Sequence, residues 1–98
     1  MTATFEQVEY TKERLASMRK SAGLTQAEFS SYMGVRLRTY EDLEGGRSTV
    51  RPVHIRAAEM ALIYISKNHS VRAIEMPAYL KDVVAQSYAN CFIDPPTK

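Results

Sequence analysis

Residues 23–47 read GLTQAEFSSYMGVRLRTYEDLEGGR, and the spacing within this stretch decides the fold. Thr25-Gln26-Ala27-Glu28 has the form of a helix start. The Thr25 hydroxyl can accept from the free amides of the first turn, and Glu28 can reach back to the amide of Thr25. Phe29, Tyr32 and Met33 follow at three- and four-residue spacing and share one helical face. Gly34 stops that helix in a conformation a side chain resists, with Val35 placed to plug the turn. A second short helix, from about Leu37 to Leu43, puts Tyr40 and Leu43 on its inner side, and Gly45-Gly46 ends it. Two short helices, a tight glycine turn and basic residues on the second helix make a helix-turn-helix.

The run resembles the helix-turn-helix of the Cro and phage-repressor superfamily, the xenobiotic-response-element type. That family's pattern is G-L-T-Q-x-E-hydrophobic at the start of its second helix, L-G-V at the turn, and T-hydrophobic-x-x-[W/L]-E-x-G-[R/K] through its third. The matching positions are Gly23, Leu24, Thr25, Gln26, Glu28, Phe29, Met33, Gly34, Val35, Thr39, Tyr40, Leu43, Glu44, Gly46 and Arg47. The likeness extends, more weakly, from about Arg14 to Ile65. It implies an all-α, lambda-repressor-like bundle of four helices, here with a C-terminal amphipathic helix added, and binding to double-stranded DNA.

Length and composition bound the remainder. The chain has 98 residues, enough for one modest core. No run approaches transmembrane length, and Met1-Thr2-Ala3-Thr4 lacks the basic and apolar regions of a signal peptide. Cys91 is the single cysteine, so no internal disulfide can form, which suits a reducing cytoplasm. His54, His69 and Cys91 are scattered rather than set at metal-binding spacing, so no metal and no cofactor are expected. The net charge is only +2, yet it is unevenly placed. Between residues 14 and 56, Arg14, Arg19, Lys20, Arg36, Arg38, Arg47, Arg51 and Arg56 outnumber Glu28, Glu41, Asp42 and Glu44. The basic excess lies on the segment that resembles a DNA reader.

Residues 1–10 form an N-terminal arm or a helix extension: Phe5, Val8 and Tyr10 fit a helix begun at Thr4 with Gln7 completing a capping box, or an extended arm. Residues 11–66 are the expected DNA-binding domain. Thr11 caps a first helix in which Leu15, Met18 and Ala22 face one way, and Gly23 ends it. In the family this helix carries a basic residue four positions before the glycine, paired with the glutamate that closes helix three. Arg19 and Glu44 hold those positions, and the resemblance makes them a structural ion pair, not a DNA contact. Losing one member of a buried pair costs roughly 3–5 kcal/mol, and of an exposed pair almost nothing. After the loop, Pro52 suits the first turn of a fourth helix. Ile55, Ala58, Leu62 and Ile65 mark its buried face, widened by Met60 and Ala61, and it ends near Lys67-Asn68-His69-Ser70.

The resemblance assigns base contacts to Arg36, Leu37, Arg38 and Asp42, with Glu41 close by. A guanidinium can fork to O6 and N7 of guanine, Leu37 can pack on a thymine methyl, and Asp42 or Glu41 can accept from a cytosine amino group. Arg36 stands where the family usually has Ser, so contact with phosphate alone is as good a reading there. The family also commonly has Ser or Gln at the positions of Leu37 and Arg38, so no relative's operator can be borrowed. Phosphate contacts are expected from Thr25 and Gln26 at the start of helix two, from Thr39, and from the loop residues Arg47, Ser48, Thr49 and Arg51.

Residues 67–98 leave the family's pattern. Val71–Met76 fits a strand or a helical turn. Pro77 opens an amphipathic helix, residues 78–91, in which Leu80, Val83, Val84, Ser87, Tyr88 and Cys91 recur at three-four spacing; Asn90, Asp94, Pro95 and Pro96 end it. This stripe either seals a small core or forms a dimer interface, and the second is preferred, since one recognition helix reads only a few base pairs. A two-fold homodimer on an inverted repeat follows. The function expected is a small cytoplasmic repressor or autorepressor, in a prokaryotic cell or phage-infected host, of the phage, anti-CRISPR-associated or restriction–modification type. The alternative is an antitoxin or other module that neutralises a partner protein. No enzyme is expected, because no nucleophile is paired with a base.

Overall fold

The computed structural model describes residues 9–68 and 76–93, and all regular structure among them is helical. α1 spans Lys12–Ser21, α2 Gln26–Met33, α3 Leu37–Gly45, α4 Pro52–Asn68 and α5 Ala78–Tyr88; a π-helical turn, Ala89–Ile93, continues from α5. Two units result, one holding α1–α4 and the other α5 with the π turn. Among the described residues no helix is long and apolar enough to cross a membrane. The expectations for residues 1–8, 69–75 and 94–98 lie outside the described residues. Tyr10 is described, and it precedes α1 without joining a helix.

Local chemistry sets the helix ends. The amide of Arg14 donates to the Thr11 hydroxyl at 3.1 Å, capping α1. At α2 the capping box is complete: the Glu28 amide donates to the Thr25 hydroxyl at 3.1 Å, and the Thr25 amide donates to the Glu28 carboxylate at 3.0 Å. Gly34 closes α2 at φ 81°, where its own amide and that of Val35 both donate to the Ser30 carbonyl at 3.0 Å. Gly46 closes α3 the same way at φ 83°.

The four-helix unit has a single core. Leu15 and Met18 of α1, Phe29 and Met33 of α2, Tyr40 and Leu43 of α3, and Ile55, Ala58, Ala61, Leu62 and Ile65 of α4 are buried. Val50 of the α3–α4 loop joins them. α4 packs on α1 and α2, and α3 packs on the same two helices. The rings of Phe29 and Tyr40 meet edge to face, 5.9 Å apart and inclined at 74°. Met60 departs from expectation: it is half exposed rather than part of the buried face. A helix turns about 100° per residue, so Met60 falls nearly opposite Ala58 and Leu62. Glu59 is buried instead, held by both bonds from the Arg56 guanidinium, which also donates to the Tyr10 hydroxyl at 3.1 Å.

A polar cluster at the edge of this core joins three helices. Arg19 of α1 donates from Nε to Glu44 Oε2 at 2.7 Å and from Nη2 to Oε1 at 3.3 Å. Gln26 of α2 donates to Glu44 Oε1 at 2.9 Å, and the Tyr40 hydroxyl donates to Oε2. Arg19 also donates to the Leu24 carbonyl at 2.9 Å, tying down the α1–α2 loop. Burial pushes the Glu44 carboxyl up, but the hydrogen bonds from Arg19, Tyr40 and Gln26 outweigh it and hold the group below its usual range. Burial, then the bond to Glu44, drives the Tyr40 phenol strongly upward.

Two outcomes follow. Gly34→Ala should destabilise by about 1–2 kcal/mol, the strain of a left-handed residue with a side chain, because an added Cβ meets nothing within 4 Å and only backbone strain remains. The thermal midpoint then falls by roughly 4–8 °C per kcal/mol; an unchanged midpoint would show that the turn adapts. Glu44→Ala should cost about 1–3 kcal/mol, between the exposed and the fully buried case for stranding one member of an ion pair. Because the folded pKa of Glu44 lies below the unfolded one, its contribution is complete above about pH 4.3 and is lost as pH falls through the folded value. Denaturant titrations across pH should show Glu44→Gln removing part of the acid limb of the stability profile.

Candidate functional site

α3 has two unlike sides. Tyr40 and Leu43 are almost wholly enclosed, whereas Arg36, Leu37, Arg38 and Thr39 are exposed and Glu41 and Asp42 half-buried. Helical spacing accounts for this, since positions 40 and 43 share a face and 38 and 42 lie one turn apart on another. Arg36 is the N-cap in an extended conformation without a side-chain cap bond, and the first turn of α3 has no acidic residue. The amides of that turn therefore keep their partial positive charge beside two arginines.

The outward side is ordered by one carboxylate. Asp42 Oδ1 accepts from Arg47 Nε at 2.7 Å and lies 3.6 Å from Arg38 Nε, its neighbour one turn back. Arg47 makes a further, long bond to the Glu41 carbonyl at 3.4 Å. It folds back over Gly45, where an added Cβ would stand 2.9 Å from Arg47 Nη1 and push the guanidinium aside. The hydrogen bond from Arg47 is the largest influence on Asp42; burial opposes it, but with the charges of Arg47 and Arg38 added the carboxyl is held below the usual carboxylate range.

The positions expected to act together are thus only partly gathered. Arg38, Asp42 and Arg47, assigned to bases and phosphate from the resemblance, form one ion-pair cluster. Gln26, assigned to phosphate, has its amide nitrogen on Glu44, because the first turn of α2 stands over the C-terminal end of α3. A shallow groove between the two is lined by Gln26, Glu41, Glu44, Gly45 and Arg47. Thr25 is exposed at the α2 cap, and Ser48, Thr49 and Arg51 are exposed along the loop. The Arg51 amide donates to His54 Nδ1 at 2.9 Å, which helps close the start of α4. In the α5 unit Leu80 is buried and Val84 half-buried, whereas Val83, Ser87, Tyr88 and Cys91 are exposed.

Two contributors go beyond what the sequence pattern shows. Tyr40 supplies a hydroxyl to the cluster around Glu44 as well as a core ring, and its i,i+4 relation to that glutamate was the available signal. Arg56, Glu59 and Tyr10 form a second polar cluster, of which only the i,i+3 pair was legible.

Asp42 should titrate below an ordinary aspartate in a carbon-detected carboxyl experiment. Arg47→Ala should raise it markedly and Arg38→Ala less, in keeping with 2.7 Å against 3.6 Å. Equal effects of the two substitutions would contradict this order.

No model of a known family, no curated protein and no solved structure matches the chain significantly.

Proposed function

We propose that the chain is a sequence-specific double-stranded DNA-binding regulator, a small dimeric repressor with a lambda-repressor-like helix-turn-helix formed by α2 and α3. The observation that supports this most is the two-sidedness of α3. Its inner residues Tyr40 and Leu43 are locked in the core, and its first turn carries Arg36, Leu37 and Arg38 outward. A helix anchored on one side and basic on the other suits the major groove, which admits a helix and presents guanine O6 and N7 to a forked guanidinium.

In this reading Arg38 is the principal base reader, Arg36 reads a base or a phosphate, and Leu37, 41 % exposed, packs on a thymine methyl. Arg47, Ser48, Thr49 and Arg51 contact phosphates at one end of the surface, and Thr25 and Thr39 do so beside α3. Gln26 is better cast as a brace for Glu44 than as a phosphate ligand, since its side-chain nitrogen is already engaged. Binding as a homodimer, with α5 as its contact, calls for two recognition helices about one DNA turn apart, roughly 34–36 Å. Val83 and Tyr88, 42 % and 54 % exposed, offer apolar surface for that contact. Such a repressor acts by occluding a promoter, without a cofactor, in the cytoplasm of a prokaryotic cell or phage-infected host. The same apolar residues on α5 suit the second reading, a module that neutralises a partner protein.

Selection from a random duplex pool distinguishes the two readings. A regulator should enrich one inverted repeat, with affinity falling steeply as salt rises, by about 0.9 in log–log slope per phosphate neutralised. On that duplex Arg38→Ala should erase discrimination at one base position, worth about 1–3 kcal/mol, and Arg51→Ala should weaken all sequences alike. A pool that yields no common sequence would remove the regulatory reading.

A further inference from the structure

Resting on the DNA-binding reading above, we propose that Asp42 is a positioning residue that determines specificity. Its carboxylate is shared between Arg38 and Arg47 in the free chain, yields Arg47 to a phosphate when DNA arrives, and remains to brace Arg38 against a base edge.

The geometry argues against Asp42 as a base reader. Oδ1 takes the Arg47 hydrogen bond at 2.7 Å and faces Arg38 at 3.6 Å. Its side chain is 26 % exposed, against 83 % for Arg38 and 62 % for Arg47, so the two cations lie outside it. To accept from a cytosine amino group, the recessed carboxylate would have to reach past both arginines, which stand nearer the surface.

Asp42 holds Arg47 more closely than Arg38, so the direction of the exchange comes from what DNA offers each, a phosphate to Arg47 and a base edge to Arg38. Among the described residues, the Arg47 guanidinium is held, apart from Asp42, by the 3.4 Å bond to the Glu41 carbonyl, over the open face of Gly45. An exposed pair of this kind is worth no more than about fivefold in an equilibrium constant. A phosphate can take Arg47 from it, because a guanidinium binds phosphate through two parallel charge-assisted bonds. Once Arg47 has moved, Arg38 has the carboxylate to itself, and an arginine fork fixed from behind discriminates better than a freely rotating one. On a sequence lacking the matching guanine the brace gains nothing, and the Asp42 charge simply repels phosphates. One side chain therefore weakens binding to DNA in general and strengthens it on the right sequence.

The test measures full-length wild type, Asp42→Asn and Asp42→Glu against two duplexes of equal length, the selected inverted repeat and a scrambled version, across a salt series. Asp42→Asn should bind the scrambled duplex about fivefold more tightly, the size of an exposed charge effect, and the selected duplex no more tightly than wild type. Asp42→Glu keeps the charge, so its affinity for the scrambled duplex should stay at the wild-type level while the selected duplex weakens. Asp42→Asn shifting both duplexes by the same factor would overturn the brace but leave the regulator standing. A wild-type chain that does not distinguish the two duplexes would overturn both. Thermal melts of the three proteins, which should coincide, separate either result from a loss of fold.

Discussion

The Glu44 carboxylate is the point on which the arrangement of the four-helix unit depends. It accepts from Arg19 of α1, Gln26 of α2 and Tyr40 of α3, so one side chain joins three helices of eight to ten residues. Helices this short are marginal in isolation and need tertiary contacts to persist. Apolar burial supplies those contacts but is non-directional. Hydrogen bonds are directional, and a carboxylate with donors on both oxygens fixes the rotation of α3 about its own axis. Shifting α3 by one residue would turn its surface by about 100° and bring Thr39 or Glu41 inward in place of Tyr40.

The outward side of α3 follows from that rotation and from where the helix begins. With Tyr40 and Leu43 inside, Arg38 must face solvent, whereas Arg36 and Leu37 are exposed because they stand at the start of the helix. Gly34, which closes α2, and Gly46, which closes α3, are both in the left-handed region, so the chain turns tightly before and after α3 and carries Arg47 back beside Asp42. The turn at Gly46 thus brings a loop cation onto the helix surface. In the proposed regulator this couples base reading to phosphate contact within one cluster, and neither arginine acts independently.

What could be read from the sequence was what depends on neighbours in the chain. The Thr11 and Thr25 caps, the Gly34 stop and the Pro52 start each involve residues within four positions, and their chemistry is nearly independent of tertiary context. The three-four spacing that selected Leu15, Phe29, Tyr40, Leu43, Ile55 and Leu62 is equally local. Met60 was misplaced because a broad apolar segment does not reveal which of its residues faces the core. Gln26 and Arg47 were beyond reach for a different reason. Each is a long polar side chain that could serve DNA or a neighbouring carboxylate, and the choice depends on where Glu44 and Asp42 stand after folding. Glu59 shows the converse, a charged residue drawn inside because Arg56 and Tyr10 arrive beside it.

Relative magnitudes separate what stabilises the unit from what makes it specific. Each fully enclosed large side chain, such as Phe29, Leu15 or Ile55, contributes about 1.5–3 kcal/mol on burial, so the core as a whole far outweighs any single polar contact. Replacing a buried ion pair by well-packed apolar groups is often neutral or even stabilising, and on stability alone the Glu44 cluster has no special claim. Its value lies in the difference between the right rotation of α3 and the wrong ones. An apolar replacement would let Tyr40 and its neighbours settle at several angles of similar energy, whereas an unpaired Glu44 or Arg19 makes each of those alternatives unfavourable by several kcal/mol. For a surface whose proposed work is to set Arg36 and Arg38 against the edges of bases, angular definition matters more than an extra increment of stability. That is a physical reason for an ion pair to stand at the edge of so small a core.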